Sequence, residues 1–436
     1  MKWRQPADRG VVEAVVATFR EPVDRAHRTL SPLSQHRWER SYHWLDESGM
    51  ALYFLARIES LGIEDAIPAA IRARLKKNLA DNRNRSSFLL AEFIELNCAF
   101  QQAGIDYCNL KVFTLSPDFC PDPALRCHLD FDFLVDGRDL KLCQEILAKT
   151  GYVRTVTTAT EWQFEAGSSE MARIEDHYKP KSQRSVELHF TCGDAKPHEP
   201  SRDERLDRMA LRAWNGLSFH VLTPEDQFVG QALHLFCHLR SACTRPSWLL
   251  EYKRSMSGRY DDRSFWDGVR ESSQGNTRAA IAIGLATLLS AQLFGGDSPA
   301  QLNGWTLDRL PAPVRLWADL YGRKAVLADG PGTKLHLLLE DELASGDNSW
   351  QKKRRSLLPL YCATRIAIED PNESLGQHLR REYYQARFLL FRLRFHLVEG
   401  LRYTIEAVRW RRCLAHHQAR LQRDPTPCIS TTAEPS

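Results

Sequence analysis

No two of the chain's eleven cysteines are spaced Cys-x-x-Cys; the nearest neighbours are Cys120 with Cys127 and Cys237 with Cys243. That spacing excludes the common zinc ribbons and fingers, and an odd, scattered set reads as reduced thiols rather than a disulfide framework. No run is expected to reach the roughly 18 uncharged apolar residues of a membrane span, and the opening MKWRQPADRG lacks the oily core of a secretion signal. The expectation is therefore a cytoplasmic protein with no transmembrane segment. Lysine is absent between Arg380 and Arg423, where eleven arginines face three acids, Glu382, Glu399 and Glu406. This stretch carries +8 in a chain whose total is +4, so the remainder is −4. Internal repeats are absent too.

What is present suits a soluble globular protein. A length of 436 residues, 43% hydrophobic and 26% charged, exceeds one ordinary domain and predicts two or three. The first hundred residues read as helical: apolar positions recur at helical spacing from Trp44 to Ile58 with Gly62 as the stop, and again from Ser86-Ser87 to Gly104. After Gly104 the period changes. IDYCNLKVF (105–113) reads as a strand, SPDFCPDPALR (116–126) as a loop and CHLDFDFLV (127–135) as a strand; a helix over 138–150 and strands YVRTVTT, WQFEA and RSVELHF follow. Residues 105–192 thus form the one mixed α/β module in view. Beyond it the pattern turns helical again, with a capped start at Thr223-Pro224 for a helix running to Ala242 and a buried helix in TRAAIAIGLATLLSAQLFGG. SGDNSW (345–350) reads as a loop. The predicted organisation is a helical region 1–104, an α/β core 105–200, a helical domain 201–328, a helical region 329–423 ending in the arginine-rich helix, and a disordered tail 424–436.

RCHLDFDFLV places Asp130 and Asp132 two apart inside an oily run. Alternation sends Leu129, Phe131, Phe133 and Val135 one way and His128, Asp130 and Asp132 the other; in RSVELHF, Glu187 and His189 share the polar face. A strand with one solvated face commonly carries an acid there, which explains either strand taken alone. Aspartate is nevertheless a poor strand former, and two on one face repel unless something positive lies between them. A divalent cation meets that need, since Mg²⁺ is held by one or two carboxylates plus substrate phosphates.

The run LKVFTLSPDFCPDPALRCHLDFDFLV, then a helix, Gly151-Tyr152 and RSVELHF, resembles the uncharacterised bacterial nucleotidyltransferase family within the DNA-polymerase-β-like superfamily. The resemblance covers residues 105–192 closely and implies an α+β fold: a small mixed sheet with helices, flanked by N-terminal and C-terminal helical regions. It implies Mg²⁺ or Mn²⁺ as cofactor and an NTP as substrate, whose NMP passes to an acceptor with release of pyrophosphate. Asp130, Asp132 and Glu187 would hold the metals, with Glu187 or His189 taking the acceptor's proton. Lys111 and Arg126 would meet the triphosphate. Read without that family, both are ordinary surface cations. The acceptor, whether small molecule, peptide or RNA, is not legible.

One position departs from the family pattern: Val112 stands where glycine follows the lysine. Glycine permits φ > 0 and lets phosphate approach the backbone, whereas a branched Cβ disfavours both. Thr114 or Ser116 could supply a hydroxyl instead, or Lys111 and metal could do most of the holding. A third reading is a catalytically weak relative that binds a nucleotide, RNA or protein. A sugar-nucleotide glycosyltransferase also uses Asp-x-Asp, but Glu187 on its own strand argues against it.

Three further features stand out. His234 and His238 are one turn apart and could share a metal, although Leu235 and Leu239 beside them favour packing. His177, Lys179 and Lys181 either overhang the cleft or form a solvated loop. Arg380–Arg423 interleaves arginine with aromatics, which fits RNA, an anionic membrane surface or the protein's own core. The departure at Val112 yields a direct test: Val112→Gly should raise NTP affinity in calorimetry, and unchanged or weaker binding would show that valine does not obstruct the phosphates.

Overall fold

The computed structural model describes residues 6–20, 22–167, 177–180, 183–193, 196–214, 216–242, 244–330, 332–346 and 374–423. Of the loop expected at 345–350, residues 345 and 346 instead end the helix His336–Gly346, and 347–350, like Lys181 and the tail 424–436, lie outside the described residues.

Seven strands form one mixed sheet: β1 (Tyr107–Asn109), β2 (Phe131–Val135), β3 (Val153–Thr157), β4 (Glu161–Ala166), β5 (Arg184–His189), β8 (Ala210–Trp214) and β9 (Leu217–Val221), ordered β3-β4-β5-β2-β1-β9-β8. A separate two-stranded ribbon pairs β6 (Thr191–Gly193) with β7 (Lys196–Ser201). β2 runs antiparallel to β1 and parallel to β5, while β4 runs antiparallel to β5. Helices flank this sheet on both the N-terminal and C-terminal sides of the chain, so the α+β class stands. The expectation that structure turns helical directly after 192 fails, because β6 to β9 intervene. Gly216, at φ 79, lets the chain turn from β8 into β9.

The long helix Ala69–Gln102 covers one face of the sheet. Its Phe93 ring meets Phe113 at 5.2 Å, Phe219 at 5.1 Å and Phe131 at 6.3 Å, mostly edge to face. Phe100 similarly contacts Tyr107 and Phe133. Ser86-Ser87 does not begin a helix but lies inside this one; the Ser87 hydroxyl donates back to the Arg83 carbonyl, so it caps nothing. Conversely, the pattern read as continuous over 42–62 is two helices, Gln35–Glu47 and Met50–Leu61, because Gly49 sits at φ 72. Gly62, at φ 65, ends the second as expected.

A second, larger core gathers the N-terminal helices with Pro224–Leu239, Pro246–Gly258, Thr277–Phe294 and His336–Gly346. Thr277–Phe294 is long and apolar enough to cross a membrane by length and composition, although it carries Arg278. Two-thirds of it is packed inside the protein, however, as in the core helix of a soluble domain. Pro224–Leu239 begins on Thr223, whose side chain accepts from the Asp226 amide, and Asp226 is clamped by Arg208 at 2.6 and 2.9 Å.

Phe93→Ala removes a ring that touches three others in a buried cluster. It should cost about 3–5 kcal/mol in urea unfolding; a loss under about 1 kcal/mol would mean that the helix and sheet do not share this core.

Candidate active site

Two of the expected strands are shorter than their sequence patterns, and the shortening shapes the site. The chain leaves β1 at Asn109 and enters a 3-10 turn, Val112–Leu115, because Val112 takes φ 59. Val112 is the described non-glycine residue with positive φ, so the left-handed conformation that suits glycine is retained without the glycine. Its side chain is buried in the core beneath the sheet. β2 begins only at Phe131, so alternation does not govern the residues before it. Leu129, assigned to the core, is 42% exposed, and His128, assigned to the polar face, is buried with its ring against Phe113.

The segment entering β2 is held from outside. Asn82, inside the long helix, donates to the carbonyls of Ala124 (2.6 Å) and Arg126 (3.0 Å), and Arg85 donates to that of His128 (2.6 Å). Arg126, expected to meet a triphosphate, is instead buried in an ion pair with Glu251 (3.1 Å), whose other oxygen accepts from the Tyr53 hydroxyl (2.8 Å). Thr114 is also committed: its hydroxyl donates to the Lys111 carbonyl, and Gln227 donates to its carbonyl and hydroxyl.

Strand pairing brings the carboxylates together. Asp132 on β2 lies opposite Glu187 on the parallel neighbour β5, and Glu187 lies opposite Gln163 on β4. Side chains in such a row share a face. Ligand atoms of Asp132, Glu187 and His189 all fall within 4.8 Å of one another. The His189 Nε2 is 3.3 Å from Asp132 and 3.4 Å from Glu187, and the Lys111 Nζ reaches Asp132 Oδ1 at 2.5 Å. Asp130 stands outside the group of three, just before β2, where it borders a cleft of about 520 Å³ lined also by Arg85, Phe88, Glu92 and Arg184.

Asp132 is fully buried. Burial favours its neutral form, but the Lys111 ammonium and the His189 imidazole outweigh that and hold its carboxyl well below the usual range. Burial likewise works against the His189 charge, yet hydrogen bonds to Asp132 and Glu187 raise its pKa to about 9 in the metal-free site; ligation of a metal ion would displace that proton, since only the neutral ring can donate a lone pair. Asp130 is shifted the other way, upward, by burial and by the negative charge of Asp132. The three acids are thus unequal, with one locked in the ionised form and one resisting it.

One atom argues for a cation. Asp132 Oδ2 is buried and accepts no hydrogen bond, which is costly for an ionised carboxylate unless a positive group arrives. Two carboxylates and an imidazole within this reach fit a divalent metal ion. His189 belongs more firmly to the group than Asp130 does, the reverse of the sequence ranking. Glu161, 4.0 Å from His189, and Gln163, 3.4 Å from Glu187, were missed, although the alternation in EWQFEA already put both on one face. His234 and His238 do not join this group; their rings pack against each other (4.6 Å) and against Trp248 (4.8 and 4.5 Å). His177 and Lys179 offer their backbone carbonyls to Arg85.

Asp132→Asn should weaken Mn²⁺ binding, followed by electron paramagnetic resonance, by at least about tenfold, the smaller end of what losing even a supporting group costs a metal site. Equal affinity in the two proteins would place the ion elsewhere.

Residues 34–295 match the model of a family described as uncharacterised nucleotidyltransferase. No curated protein matches the chain.

Proposed function

Because the chain belongs to the uncharacterised nucleotidyltransferase family, we propose that it moves an NMP from an NTP to a hydroxyl- or amine-bearing acceptor and releases pyrophosphate. The observation that carries this reading is the buried Asp132 facing Glu187 across a parallel strand pair, with one oxygen lacking any partner. Asp132, Glu187 and His189 would hold Mg²⁺ or Mn²⁺, with Asp130 at the cleft side completing the acidic set. Bound there, the ion would supply Lewis-acid charge that offsets the triphosphate.

The chain's own residues do the rest. Lys111 neutralises Asp132 in the free protein and offers an ammonium to the triphosphate. Glu187, less buried than Asp132, accepts the acceptor's proton, and His189 between them fixes both carboxylates. The acceptor oxygen or nitrogen attacks the α-phosphorus as the bond to the β-phosphate oxygen breaks. Pyrophosphate leaves with the bonding pair, and one proton passes to the protein. This reading places the enzyme in the cytoplasm, where NTPs are available.

A second reading has one observation in its favour. Val112 stands where the resemblance leads one to expect glycine, which suits a catalytically weak or inactive relative that binds a nucleotide, RNA or protein. Incubation with each labelled NTP, Mg²⁺ and cell extract separates the two. Pyrophosphate release with label transfer, reduced at least about 10²-fold in Glu187→Gln, is the expected result. Binding without turnover would favour the second reading, and transfer of a sugar would refute both.

A further inference from the structure

The arginine-rich segment is one helix, Leu375–Arg423. Its later part is docked on the protein. Ala407 and Trp410 are buried, the Trp410 indole donates to Glu342 (3.0 Å), the Tyr321 hydroxyl donates to Glu406 (3.0 Å), and the Tyr403 hydroxyl donates to Asp341 (3.2 Å). Glu399 accepts from the Lys334 amide. Positions 399, 403, 406 and 410 lie on one side of the helix.

A different side is apolar and exposed, with none of the described residues covering it. Leu379, Tyr383, Ala386, Leu390, Leu393, Leu397, Leu401, Ile405 and Val408 line it, and the eight larger of these are each between 47% and 66% exposed. Such a stripe, roughly 44 Å long at 1.5 Å per residue, exceeds the scattered apolar exposure normal for a protein surface. It lies beyond the residues matched by the family.

Two features choose the occupant. The stripe recurs roughly every 3.6 residues, the period of a straight helix lying on a flat surface, rather than the 3.5 of a left-handed coiled coil. The stretch 375–398 also carries five arginines (Arg380, Arg381, Arg387, Arg392, Arg394) against the single acid Glu382. Arg380, Arg387 and Arg394, each seven residues from the next, run along one border of the apolar face, where long side chains reach lipid phosphates while their stems stay in the apolar layer. The same surplus of positive charge repels a second copy of the helix.

We propose that this face of Leu375–Arg423 seats the protein on an anionic bilayer, with the leucine stripe in the acyl boundary and the arginines among phospholipid headgroups. The body of the protein docks on another side of the same helix, so it remains in water while the stripe is covered. The proposal stands apart from the transfer reaction and does not need it.

Flotation of the full chain with phosphatidylcholine vesicles, with and without phosphatidylglycerol, tests it. Binding should require phosphatidylglycerol and fall roughly fivefold for each of Arg387→Gln and Arg394→Gln, the loss expected per juxtamembrane arginine. The combined variant Leu390→Asp, Leu393→Asp, Leu397→Asp should lose flotation while keeping its unfolding temperature, because these side chains touch no core. Wild-type protein that ignores anionic vesicles would overturn the proposal, as would equal flotation of the aspartate variant. A dimer in analytical ultracentrifugation that the aspartate variant breaks, without vesicle binding, would instead assign the stripe to a second copy.

Discussion

A carboxylate that is ionised and wholly out of water must be answered by positive charge, and Asp132 imposes that condition on everything around it. Lys111 answers from the end of β1, His189 from β5, and one oxygen is still left over. The His189 contact depends on the parallel pairing of β2 with β5, which sets Asp132 opposite Glu187, and the Lys111 contact on the antiparallel pairing of β1 with β2. In an antiparallel pair with another register the same residues would be scattered along the sheet. The metal-binding potential of the protein is therefore a property of strand order first and of residue type second.

Around this centre the structure spends its polar side chains on holding backbone. Asn82 and Arg85 are buried polar positions on a long helix that grip the segment leading into β2, and the buried pair of Arg126 with Glu251 ties that segment to the large helical core. The family match, from residue 34 to 295, spans these pieces: helices before the sheet, the sheet and the helices after it. The α/β core is thus not a self-contained unit with helices attached. Its entrance strand is positioned by both helical regions at once.

Periodicity in the sequence revealed most strands and the helices 138–150, 223–242 and 277–296, because their burial patterns are regular and their ends carry caps or glycines. It failed where a side chain had an atypical partner. Ser86-Ser87 looked like a start because hydroxyls commonly cap, but here Ser87 bonds back along its own helix. The family resemblance cast Arg126 as a phosphate ligand, and local pattern could not correct this because its actual partner, Glu251, is 125 residues away. That Asp132 and Glu187 share a polar face was legible from alternation and motif together, whereas the pairing of Lys111 with Asp132 was not. The rank of His189 over Asp130 was not, since it depends on where β2 actually begins.

Val112 sets the shape of the turn that carries Lys111. A glycine at φ 59 would leave the turn after Lys111 free to sample many shapes, and a ligand would have to freeze it on arrival. Valine, its side chain sunk among the aromatic residues beneath the sheet, settles the turn when the chain folds. The lysine that precedes it is consequently aimed before any ligand approaches.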